Sequence, residues 1–336
     1  MRQHLFIALS FAALGCGGQI AKSEQMSESA PNEPFRSAAE DRPMHHADDA
    51  APNLIAESEI SPTSIVSDET RVFWTTKGST LLGEPTINGT LMMRYKQGGE
   101  KLMLALDARG AAYRTLVRTG DTLVWSTSDG RILSLGRSGG TPKELVFVGA
   151  EVRALSIDSD QVYFASERGD IGTVSLADGR ASILTTGLVS PRALTSDDLF
   201  VYVTVGRSAD ADVLRIPKAG GEGAVLFSGL TSPCGLAVTQ GEAFVVDLGA
   251  NAVVSVSLRD GKALSLGRSV AACSLGIDSN FLYWMKRQEL GDLVVRTDRL
   301  SGQEQVLANG AADAPIYVDS ADLYWATETA VYSRSK

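Results

Sequence analysis

The chain has 336 residues, 44% of them hydrophobic and 21% charged, with a net charge of −9. That composition describes a globular protein, and the acidic balance weighs against nucleic acid as a partner, since phosphates need a basic surface. Three cysteines are too few for a disulfide scaffold, and 33 glycines point to many tight turns.

Arg2 and His4 precede an apolar run over 5–14 that only Ser10 interrupts. A basic start, a short apolar stretch and small residues at its end describe an export signal. The run is too short to cross a bilayer, which takes about twenty residues. The four residues Ala13-Leu14-Gly15-Cys16, which begin in the end of that run, resemble the lipobox of bacterial lipoproteins, with Ala13 a less common first residue. The resemblance covers the leader alone. It implies a signal peptide over 1–15, Cys16 as the diacylated N-terminus, and the membrane as a partner through that anchor. More than one acyl chain is needed, because a single chain holds a protein only weakly. Gly17 after the cysteine implies an outer-membrane address in the cell envelope. The competing reading is an ordinary secretory signal in which Cys16 is incidental.

Residues 16–52 read as a lipidated flexible linker. They are rich in Ser, Ala, Glu, Asp and Pro and carry almost no aliphatic periodicity, so they bury too little apolar surface to offset the entropy of ordering. The pair His45-His46 falls here and reads as solvated linker rather than as a metal site.

From residue 53 onwards short apolar runs alternate with Gly/Asp/Ser turns, without helical periodicity. A pair of aromatic or β-branched residues recurs as Phe73-Trp74, Val124-Trp125, Tyr163-Phe164, Tyr202-Val203, Phe244-Val245, Tyr283-Trp284 and Tyr324-Trp325. The spacings are 51, 39, 39, 42, 39 and 41 residues, and all four tryptophans fall at one repeat position. Nine residues before the second member of each pair stands Ile65, Leu116, Leu155, Leu194, Leu236, Leu275 or Ile316. Asp68, Asp158, Asp197, Asp278 and Asp319 close that first apolar stretch in five of seven copies. A third run, a Gly-containing turn and a fourth run complete each unit.

Four-stranded units of about forty residues are the blades of a propeller. The expected fold is therefore all-β, a seven-bladed β-propeller over 53–336, with a six-bladed ring containing one irregular repeat as the alternative. The odd copy is the first, with a longer loop over 77–89. The seventh copy lacks a fourth strand, and 53–62 resembles the fourth-strand segment 182–191, including its final Ser-Pro. This predicts that 54–60 pairs with the C-terminal strands and closes the ring, removing two sheet edges. The repeat is similar to NHL and YWTD-type propellers. Tyr283-Trp284 and Tyr324-Trp325 match the first half of the YWTD core, and no copy carries all four letters. That likeness implies architecture and nothing about activity.

No histidine follows His46, which leaves the propeller without an imidazole base or an imidazole zinc site. No catalytic residue, metal or cofactor is assigned. Two carboxylates would suffice for glycosidase chemistry, but the repeated aspartates occupy turn positions, where Asp bonds its own backbone. The residue just before each inner strand reads Thr63, Arg114, Arg153, Arg192, Cys234, Cys273 and Ala314. Arg114, Arg153 and Arg192 would form a basic arc at the channel mouth, a candidate site for an anionic ligand. The bland reading ties each arginine to a neighbouring carboxylate or carbonyl. Cys234 and Cys273 share this position in adjacent blades, and an oxidising compartment would let them pair if their Cα atoms lie within about 7 Å.

The expected function is a noncatalytic envelope-binding or scaffold lipoprotein that holds a protein, glycan or small anion on a propeller face. The alternative is an envelope hydrolase or lyase with carboxylate chemistry in the channel, which a close acidic pair at the mouth would favour.

Overall fold

The computed structural model describes residues 45–46, 51–78, 88–206, 208–239, 241–311 and 313–336. The leader, Cys16 and most of the linker lie outside the described residues, as does most of the long loop in the first repeat.

The nine-residue spacing seen in the sequence is a hairpin register. Ile65 lies opposite Trp74, Leu116 opposite Trp125, Leu155 opposite Phe164 and Leu194 opposite Val203. Leu236 faces Val245, Leu275 faces Trp284 and Ile316 faces Trp325 in the same way. Each pair joins the first strand of a unit to its second across a tight turn. A cross-strand pair of large apolar side chains is the unit of sheet stabilisation, so the repeat conserves the pair and not either residue alone.

Seven such hairpins extend to seven four-stranded antiparallel sheets among the described residues. Blade 1 comprises Pro62–Ser67, Arg71–Thr76, Thr90–Tyr95 and Leu102–Leu106. Blades 2 to 6 follow in the same order, starting at Tyr113–Thr119, Val152–Asp158, Leu194–Ser196, Pro233–Thr239 and Val270–Ile277. Blade 7 takes Ile316–Val318, Asp322–Ala326 and Ala330–Ser335 from the C-terminus and its outer strand, Asn53–Glu57, from the start of the repeat region. The ring is seven-bladed, and the expected closure is present. The closing strand ends earlier than the sequence suggests, at Glu57. Ser58 and Ser61 adopt φ of 58° and 47°, which turns the chain out of the sheet, and Glu59 and Ser61 donate their N–H groups to Thr329 and Glu328 instead. The backbone of His45–His46 also runs parallel to the outer strand of blade 6, opposite Gln305 and Val306.

The core is divided among the gaps between blades. Among the described residues seven clusters of buried side chains are found, one between each neighbouring pair, including the pair made by blades 7 and 1. At that closing gap Ile55 and Ala56 of the N-terminal strand pack with Trp74, Tyr324 and Val331. All four tryptophans are fully buried. A blade alone would expose both faces, so each stabilises its neighbours and the ring becomes the folding unit.

A second regularity lies on the disc face that carries the turn between the first and second strands. The residue following each third strand donates its N–H to a carbonyl in that turn of its own blade, at Lys96, Arg137, Leu176, Lys218, Leu258, Arg299 and Lys336. Five of these residues are basic, and each reaches an acid of the preceding blade. The pairs are Lys96–Asp319, Arg137–Asp68, Lys218–Asp158, Arg299–Glu242 and Lys336–Asp278, at 2.6–3.0 Å. The other two, Leu176 and Leu258, pack into the apolar clusters of their gaps. Each gap is thus closed at this face by either an ion pair or a leucine.

Four of the repeated aspartates, Asp68, Asp158, Asp278 and Asp319, accept these cations. Oδ1 of Asp68, Asp197, Asp278 and Asp319 accepts two backbone N–H groups of the following turn. Oδ2 then binds a side chain, such as the Tyr202 hydroxyl at Asp197.

Candidate functional site

The opposite face holds the start of every inner strand and the mouth of the central channel. The sequence places Thr63, Arg114, Arg153, Cys234 and Cys273 just before those strands, whereas the structure places them inside the strands, at irregularities in register. The pairing with the second strand skips Thr63, Arg114, Arg153 and Cys234, and between Val270 and Leu275 it skips Cys273. A bulge leaves its extra residue unpaired and re-aims the side chain, so one local device, repeated around the ring, turns this position towards the mouth. Arg192 stands two residues before Leu194–Ser196 and is held by its backbone N–H to Thr204.

The structure does bring the three arginines together. They line one cavity of about 580 Å³ with Cys234 and Cys273. A second cavity of about 330 Å³ shares Arg153, Arg192 and both cysteines and runs down the inner strands. Its walls are small at the top (Ala154, Ala193, Gly235, Ser274) and aliphatic below, where Leu155, Leu236 and Ile316 begin the blades.

The three guanidinium groups differ in their partners. Arg114 pairs with Glu151 at 2.9 Å and Arg153 with Glu167 at 2.7 Å. The Arg114 carbonyl is also fixed from blade 1, accepting hydrogen bonds from the hydroxyls of Thr63 and Thr75. Arg192 makes no ion pair among the described residues, and the one hydrogen bond of its side chain there, from Nη1 to Ser232 Oγ, is long at 3.4 Å. Lys77, from the end of the second strand of blade 1, and Asp313, from the approach to blade 7, complete the charged rim. Glu151 and Glu167, which complete these pairs, were missed from sequence. Glu151 sits before a strand and Glu167 after one, so neither belongs to the repeat position that drew attention to the arginines.

Cys234 and Cys273 are joined as a disulfide with a Cα–Cα distance of 5.2 Å. Their blades approach closely here. A Cβ added to Gly235 would lie 2.1 Å from the Cys273 carbonyl oxygen, so only glycine fits beside the bridge.

No protein-family model matches the chain, and no curated protein sequence does. Solved structures do match it, as propellers. A structure of a nidogen/laminin complex aligns at a TM-score of 0.51 with 19% identity, covering 62% of this chain and 86% of that one. The Pan2 WD40 domain of Neurospora crassa aligns at 0.63 with 12% identity over 86% and 97%. The extracellular domain of a putative one-component system from B. thetaiotaomicron aligns at 0.62 with 12% identity, over 84% of this chain and 40% of that one. At these identities the likeness is one of fold.

Proposed function

We propose that this propeller is a noncatalytic binding protein of the bacterial cell envelope, held to the outer membrane by a lipid on Cys16, with its ligand at the channel mouth. The observation that carries the binding reading is the cavity of about 580 Å³ rimmed by Arg114, Arg153 and Arg192 on consecutive blades. Guanidinium groups on a rigid ring suit recognition of anionic groups on a glycan, a protein or a small molecule. A concave mouth focuses their field even on an acidic protein. The catalytic alternative needs two carboxylates free to act, yet Glu151 and Glu167 are engaged by arginines. The anchor is supported by the lipobox-like residues 13–16. A structural neighbour described as an extracellular domain agrees with an exported address.

Two experiments test the reading. Thermal shift of the purified mature protein against a panel of anionic saccharides, peptides and organic acids should find a stabilising ligand. That stabilisation should be absent when Arg114, Arg153 and Arg192 are all replaced by Gln, since a ligand that binds only the folded state raises its melting temperature. A shift that survives the triple replacement would move the site elsewhere. Mass spectrometry of the mature N-terminus should find acylated Cys16, and an unmodified N-terminus beyond Cys16 would remove the anchor.

A further inference from the structure

The three arginines of the arc share one repeat position, but their partners separate them. Arg114 and Arg153 are each matched by a carboxylate, Glu151 and Glu167, at 2.9 and 2.7 Å. Arg192 is matched by none among the described residues, and its guanidinium hydrogen-bonds there only to Ser232 Oγ, at 3.4 Å. It is also the arginine nearest in chain register to the disulfide-bridged side of the ring, because Ser232 lies two residues before Cys234. Arg192 and Arg153 line both cavities, whereas Arg114 lines only the outer one. Of the remaining rim charges, Lys77 lines only the outer cavity and Asp313 lines both. With Glu151 and Glu167 counted, the charges named at the mouth leave one net positive charge, and Arg192 is the arginine there without a carboxylate partner among the described residues.

We infer that Arg192 is the ligand-binding arginine of the mouth and that its ligand presents a single carboxylate, while Arg114 and Arg153 are positioning residues of the rim. The inference rests on the channel-mouth reading above and deepens it. A guanidinium presents two parallel donors to a carboxylate, and Arg192 has only a weak competitor for them. One net positive charge suits a monoanion. A phosphate or sulfate dianion would bring a second negative charge beside Glu151, Glu167 and Asp313. The small residues Ala193, Gly235 and Ser274 leave room beneath Arg192 for a slender polar body to enter the channel.

The test is calorimetric titration of the intact mature protein with glucuronate, lactate and N-acetylglycine, against the methyl ester of glucuronate, inorganic phosphate and sulfate. The variants are Arg192→Gln, Arg192→Lys and the charge-neutral pairs Arg114→Gln/Glu151→Gln and Arg153→Gln/Glu167→Gln, each first shown to melt cooperatively with its disulfide intact. At least one carboxylate should bind, and the ester should not. Arg192→Gln should weaken that carboxylate by roughly tenfold or more, the scale of one charged hydrogen-bonded contact. Arg192→Lys should recover part of the loss, and each paired variant should weaken the carboxylate clearly less than Arg192→Gln does. Equal losses in the paired variants would overturn the assignment to Arg192 and leave the mouth reading standing. Tighter binding of phosphate or sulfate would overturn the monoanion. If no carboxylate binds, the inference falls. The mouth reading then survives only if the broader panel yields a ligand whose effect the triple replacement removes.

Discussion

At the scale of single residues, Asp319 anchors the ion pair that joins blade 7 to blade 1. It accepts the Ser67 hydroxyl, at 2.5 Å, and the Lys96 ammonium of blade 1, at 2.7 Å, together with two backbone N–H groups. Burial alone would push its carboxyl up, but the Lys96 and Ser67 contacts and the backbone donors outweigh it and hold the group well below the usual carboxylate range. A depressed native value means stability that is present above the unfolded value, near pH 4, and lost as pH falls through the native one. Asp319→Asn should therefore cost about 1 kcal/mol at pH 7, where the staple is intact. The gap between parent and variant should close steadily below pH 4. Urea titrations at stepped pH would measure it, and a gap that stays constant into acid would show that Asp319 acts without its charge. Residue by residue, the arginine positions were legible in the sequence and their differing partners were not. Glu151 and Glu167 reach Arg114 and Arg153 from outside the repeat register. The interblade bases were equally hidden, because Lys96, Arg137 and Lys218 share their position with Leu176 and Leu258. That position conserves a place in the gap and not a residue type.

At the scale of elements, two features hold the ring shut. The first is the Asn53–Glu57 strand, which completes blade 7 and brings Ile55 and Ala56 into the closing gap. Deleting residues 53–57 would leave Ala330–Ser335 as an exposed sheet edge and strip one side of the Trp74 cluster. We expect the deletion to lose its cooperative melt and aggregate, checked by calorimetry and light scattering. A variant that melts like the parent would show that blade 7 is complete without it. The second feature is the disulfide, which spans 39 residues. Reducing it, or replacing both cysteines by Ser, should lower stability by up to roughly 4 kcal/mol on the chain-entropy estimate. Denaturant midpoints with and without reductant would measure the loss, and alkylation without reductant should find neither Cys234 nor Cys273 free. The hairpins were legible in sequence because a nine-residue offset fixes an apolar pair across a turn. The bulges that carry Arg114, Arg153 and Cys234 were not, because a bulge is a mismatch between two strands and leaves no mark on one of them.

At the scale of the whole molecule, seven apolar clusters and five ion-pair staples tie each blade to the next, and no blade has a core of its own. The ring should therefore unfold as a unit. The tryptophans report on blades 1, 2, 6 and 7 only, which makes the expectation easy to check. Denaturation followed by tryptophan fluorescence should coincide with denaturation followed by far-ultraviolet circular dichroism, which sees all seven blades. A fluorescence transition at a different denaturant concentration would mean that blades 3 to 5 unfold separately.

The sequence by itself favoured seven blades over six and carried the nine-residue hairpin offset and the origin of the closing strand, because each follows from short-range spacing repeated along the chain. Only the tertiary structure decided which of three equivalent arginines is left without a carboxylate and how the two cysteines meet. It also decided which bases cross from one blade to the next. These depend on contacts between units whose separation in sequence carries no period, and a charge is neutralised by what lies beside it in space.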